Sequence, residues 1–106
     1  MARAMGTATL DAAQFIYVAA SQLARSREAL RRGERSALRA AVLALSHASD
    51  EAGAARMARL CTDLRRQLVA DDGRIEATLD ALADAFDDAA GELADVVPQA
   101  APSRGR

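Results

Sequence analysis

The sequence has no tryptophan, no lysine, one cysteine, one histidine and two prolines, both in its last nine residues. A single cysteine, Cys61, excludes an internal disulfide. It shares an apolar helical stripe with Met57 and Leu64, which suits a buried structural thiol better than a reactive one. One histidine and one cysteine are too few soft ligands for a zinc site. The acid-rich C-terminal half lacks the Glu-x-x-His pattern of di-iron bundles. No metal and no cofactor are therefore expected. No glycine-rich phosphate loop, paired-carboxylate, Ser-His-Asp or Cys-His spacing is present, which argues against a free-standing metabolic enzyme. Charges interrupt every apolar stretch, so neither a signal peptide nor a membrane span is expected, and the default setting is cytoplasmic. Aromatics are confined to Phe15, Tyr17 and Phe86, and the net charge is -1. Nucleic acid is thus an unlikely partner on composition, having no basic–aromatic surface to bind.

What the chain does contain is alanine, leucine and arginine. Alanine is the strongest helix former, and β-branched residues are few. At 106 residues the chain makes one all-α domain with a modest core. The expected order is a flexible N-terminus over 1–8, a bundle over 9–97 and a disordered, proline-containing tail over 98–106. Within the bundle, a first helix begins near Thr9, an N-cap with Asp11 in its first turn, and stops at Gly33. A second runs from near Ser36 to before Gly53 and a third from Ala54 to Ala70. After an Asp71-Asp72-Gly73 turn, a fourth runs from Arg74 to Val97, just before Pro98. Short connections between four amphipathic helices predict an antiparallel up-down-up-down bundle.

The fourth helix has the clearest seam: Ile75, Leu79, Leu82, Phe86, Ala89, Leu93 and Val96. The third places Met57, Leu60, Cys61, Leu64 and Leu68 inward. In the first, Ile16, Ala20, Leu23 and Leu30 make the expected stripe. Phe15 and Val18 point away from it, either packing across the bundle end or serving as a homodimer contact. Charge is segregated: residues 71–97 hold nine acids and one arginine, residues 1–70 eleven arginines and six acids. This fits either complementarity between packed helices or a bipolar surface that orients a partner.

The second helix carries the functional question. At about 100° per residue, Leu38, Val42, Leu45, Ser49 and Ala52 form the core face. Leu43 lies about 140° from Leu38, and His47 about 180°. With Ala40 and Ala44 they make a smooth outer patch, flanked by Arg39, Ser46, Asp50 and Glu51. Small residues admit a partner helix, and Leu43 could anchor it. The candidate partner-binding set is Arg39, Ala40, Leu43, Ala44, Ser46, His47 and Asp50.

Three phrases, in order, carry a resemblance. REALRRGERSALRAA (27–41), GAARMARLCTDL (53–64) and IEATLDALADAFDDAAGEL (75–93) resemble the helix end, hairpin and last helix of the histidine-containing phosphotransfer (HPt) family over residues 10–97. The resemblance implies a four-helix bundle that docks receiver domains of two-component phosphorelays. In that family a histidine on the second helix carries the phosphoryl group, with a lysine three and a glycine four residues later. Counted from Gly33 or from Gly53, the histidine position is Leu43, the lysine position Ser46 and the glycine position His47. The resemblance thus implies a degenerate module that binds a receiver domain or kinase without carrying phosphate. One alternative is an active carrier using His47 as a displaced phosphoacceptor. Against it, Asp50 and Glu51, three and four residues on, repel a phosphoryl dianion. Another is a structural dimeric bundle.

Overall fold

The computed structural model describes the backbone of residues 2–71 and 73–96 and the side chains of 12–71 and 73–93. Its described residues form four helices and no strands: α1 (Ala2–Arg32), α2 (Arg35–Ala52), α3 (Ala55–Ala70) and α4 (Ile75–Val96). Helix α1 begins at Ala2 and runs through Thr9, so Thr9 is not its N-cap. The Thr9, Asp11, Asp95 and Val96 side chains, Asp72, Val97 and the 98–106 tail lie outside the described residues.

Two glycines set the boundaries that matter. Gly33 and Gly53 take left-handed φ values of 69° and 73°, which cost glycine nothing. At the end of α1, Gly33 N–H donates to the Leu30 carbonyl and Glu34 N–H to that of Ala29. At the end of α2, Gly53 N–H donates to Asp50 and Ala54 N–H to Ser49. Both are Schellman caps, which satisfy the last carbonyls of a helix and stop it at a fixed residue. The phase of α2 is thereby fixed from both sides.

Helix α1 packs on α2, α2 on α3, α3 on α4 and α4 back on α1. This closed ring is consistent with the four-helix bundle the sequence predicts. The core lies along its axis: Leu38, Val42 and Leu45 from α2, Met57, Cys61, Leu64 and Leu68 from α3, Ile75, Leu79, Leu82 and Ala85 from α4. Phe86, Ala89, Leu93 and Leu60 pack against it half-buried.

The inner stripe of α1 differs from the expected one. Its buried residues are Ala12, Phe15, Ala19, Leu23, Ser26 and Ala29; Ala20 is exposed, and Ile16 and Leu30 are half-buried. Phe15 points inward, 5% exposed, its ring 6.5 Å from that of Phe86. Of the two readings of Phe15 and Val18, packing within the bundle accounts for the burial of Phe15, and Val18 is half-buried. The stripe is built on alanine and serine, whose hydropathy is too weak to outweigh Ile16 and Leu30 in a sequence reading. The Ser26 hydroxyl donates to the Gln22 carbonyl at 2.8 Å, which satisfies it without a partner from another helix.

The charge segregation is partly used within the bundle. Arg27 pairs with Asp80 at 3.3 Å, Arg56 with Asp88 at 3.1 Å, and Arg35 with Asp71. Each joins an early arginine to a late acid across a helix–helix seam. All are solvent-exposed, so each contributes between zero and about 1 kcal/mol. They orient the seams more than they stabilise them.

Cys61 is fully buried on α3, and burial pushes its thiol up to about 11 from 9.0. The nearby Asp50 carboxylate pushes the same way, while the Ser49 hydroxyl and Arg65 oppose it. A raised folded pKa means that the neutral thiol stabilises the fold fully below the unfolded pKa. That contribution is lost as pH rises from about 9 to about 11. The expected loss is at most on the order of 3 kcal/mol. Urea unfolding at stepped pH checks it: the decline over that window should flatten in Cys61→Ala. An unchanged slope would show that the thiol is not its source.

Candidate functional site on the outer face of the second helix

Helix α2 has no side-chain N-cap at Glu34, so its position rests on the Schellman turns and on the core. Leu38, Ala41, Val42, Leu45, Ser46 and Ser49 are buried. The Ser49 hydroxyl donates to the Leu45 carbonyl at 2.7 Å, which lets a polar residue sit at full burial. With these six inward, the opposite face must be outward.

Leu43 is 41% exposed, one of three large apolar side chains given to solvent among the described residues. Its neighbours along the chain, Val42 and Leu45, are 0% exposed. Ala40, Arg39, His47, Asp50 and Glu51 are exposed, and Ala44 is half-buried. Five of the seven candidate contact residues are thus open to solvent and a sixth partly so.

Ser46 is not among them. It is 6% exposed, lying about 80° from Leu38 on the side that meets α3. A residue at that angle is covered once α3 packs. It offers no hydrogen-bond donor at the surface, and no charge in any case. Ala52, expected in the core, is exposed instead. It is the last residue before the Gly53 cap, where α2 overruns the core, and it lines a groove of about 500 Å³ with Gln14, Phe15, Val18, Ala48 and Glu51.

The outer face has two sides. Ala40 and Ala44 look into an α1–α2 groove of about 770 Å³, with Ala24, Ala37, Arg25 and Glu28 around them. Leu43 lies on the other side, rotated toward α3. The patch expected as one surface is therefore an alanine floor and a leucine ridge, with His47 between them.

Sequence reasoning missed what α3 adds beside Leu43. Arg65 and the 85%-exposed Val69 lie on one edge of α3. Arg65 lies on the flank of α3 opposite Arg56, which pairs with Asp88 of α4. The available signal was the α3 wheel: Arg65 falls only about 40° from Cys61.

Chemically, Leu43 has no atom that can accept a phosphoryl group. His47 is accessible but has Asp50 and Glu51 on the following turn. Among the described residues, no three of His, Cys, Asp and Glu converge as metal ligands, and no helix is long and apolar enough to cross a membrane. No protein-family model, curated protein or solved structure matches this chain.

Proposed function

We propose that this protein is a degenerate HPt-like module, an antiparallel up-down-up-down bundle that docks a receiver domain or kinase through α2 without carrying phosphate. The observation that carries the reading is the placement of Leu43. It is exposed, in register between the Gly33 and Gly53 caps, at the position where the family resemblance puts the phosphorylated histidine. An apolar side chain there keeps a docking contact and removes the nucleophile. Such a module competes for a response regulator or blocks a phosphorelay.

The test is a binding titration of the purified protein against receiver domains encoded in the same genome. Leu43→Arg should weaken binding at least tenfold, the equivalent of about 1.4 kcal/mol. The helical circular dichroism and melting temperature should stay close to wild type, because the site is exposed. Unaltered affinity in this variant would remove α2 as the docking face.

The exposure of His47 supports a second reading, an active carrier displaced by one turn, about 6 Å. It predicts an acid-labile, base-stable phosphoryl group on wild type, lost in His47→Ala. Its acidic neighbours make it the weaker of the two.

A further inference from the structure

Helices α3 and α4 carry opposite charge. Between Ala55 and Ala70, α3 has four arginines and one acid; between Ile75 and Val96, α4 has seven acids and no basic residue. A short connection over 71–74 joins them, and near their other ends Arg56 of α3 meets Asp88 of α4 at 3.1 Å. One face of the bundle is therefore a basic helix lying beside an acidic one. Asp80 of α4 is taken by Arg27 of α1, and Asp63 is held by Arg66 of its own helix. Arg59 and Asp84 enter no ion pair among the described residues, and both are exposed. Arg25, Arg39 and Arg65 are unpaired as well, but they lie elsewhere. Arg25 lines the α1–α2 groove, Arg39 is on the outer face of α2, and Arg65 is half a circle around α3 from Arg56.

The Arg56–Asp88 pair fixes where Arg59 and Asp84 stand. From it, toward the connection at 71–74, Arg59 is three residues along α3 and Asp84 four residues along α4. At about 1.5 Å per residue they lie about 4.5 and 6 Å from the pair, at nearly one height. Arg59 is about 140–160° around α3 from the buried Leu64 and Cys61, and Asp84 about 140–160° around α4 from the buried Leu79 and Leu82. Each points out of the bundle and not across the seam. Toward the connection the face is floored by Ala70, Ala77 and Ala81, exposed or half-buried, which put no bulk between two approaching surfaces.

Such a face is complementary to itself. Turned over by a two-fold axis parallel to the helices, a second copy lays its α4 on α3 and its α3 on α4, and every residue keeps its height. Arg59 then meets Asp84 of the second copy, and Asp84 meets the second copy's Arg59. A two-fold axis across the helices would set arginine against arginine and acid against acid, which like-charge repulsion opposes. A foreign surface of one sign would meet its own sign on one of the two helices; a second copy does not. We propose that this protein forms a closed two-fold dimer through its α3–α4 face, held by two Arg59–Asp84 pairs. The outer face of α2 lies outside this interface, so the inference does not depend on the docking role given to it.

The experiment is sedimentation equilibrium at low salt over a range of protein concentrations, with circular dichroism as the check on folding. Wild type should dimerise. Asp84→Arg and Arg59→Asp should each weaken dimerisation at least tenfold with the helical signal unchanged, because both positions are exposed. Mixed in equal amounts, the two variants should dimerise again, since one copy then carries acid at both positions and the other arginine at both. In about 1 M salt, where the screening length is about 3 Å, the wild-type dimer should weaken at least tenfold. Wild type that stays monomeric up to about 1 mM overturns the inference. So does a mass that grows past the dimer, because the contact then fails to close. A dimer indifferent to both substitutions or to salt, or variants that fail to associate when mixed, overturns it as well.

Discussion

Leu45→Ala should lower the unfolding free energy by about 2–5 kcal/mol, while Leu43→Ala, two residues earlier on the same helix, should change it by less than about 1 kcal/mol. The two leucines differ by about 200° around α2. Leu45 is fully buried in one cluster with Val42, Leu64 and Leu82, all 0% exposed. Truncating it removes buried methyl groups and leaves a cavity that rigid helix neighbours fill only in part. Leu43 loses little burial, and alanine's better helix propensity offsets some of that loss. A domain of this size has a total stability of roughly 5–10 kcal/mol, so the first variant is close to the limit of folding. Urea unfolding followed by circular dichroism, at two protein concentrations, checks both. Comparable losses for the two variants would mean that the outer face is buried, as in a self-associated bundle. The site would then be unavailable to a receiver.

The reason this contrast was legible in the sequence is that α2 is bounded by glycine. Gly33 and Gly53 announce their turns chemically, and between them the apolar spacing admits one helical phase. Leu38, Val42, Leu45 and Ser49 therefore fell correctly on the buried side, and Leu43 and His47 on the exposed one. Helix α4 was equally readable, because Leu79 and Leu82 stand out against acids. Helix α1 was not, for the converse reason. Its inner stripe is mostly alanine and serine around Phe15 and Leu23, and burial of a small side chain leaves almost no hydropathic mark. Ser46 was misplaced by a different omission. A single-helix wheel gives the angle from the core but not which flank the next helix covers. That depends on the seam between α2 and α3, which the Arg35–Asp71 pair marks only in three dimensions.

That seam also determines the outcome of restoring the nucleophile. Leu43→His should convert a protein with background labelling into one that accepts phosphate from a phosphorylated receiver. An exposed imidazole at 43 presents a neutral nitrogen to the phosphorus. As the N–P bond forms, the bond to the receiver's aspartyl oxygen breaks, and the carboxylate leaves with the electron pair. Little covalent assistance is needed; position and charge on the equatorial oxygens govern the rate. The family's lysine position is no help, because Ser46 is uncharged and buried against α3. Arg39, exposed one helical turn before position 43, forms no ion pair among the described residues. Transfer in Leu43→His should therefore fall at least tenfold when Arg39 becomes alanine, even at saturating receiver. The label should be acid-labile and base-stable, and it should persist in Leu43→His, His47→Ala, which assigns it to position 43. If Leu43→His binds the receiver as wild type does yet stays unlabelled, the face does not hold the phosphoryl group in line, and the proposed relation to a phosphocarrier does not extend to this site. If it is labelled, one side chain separates this module from an active carrier.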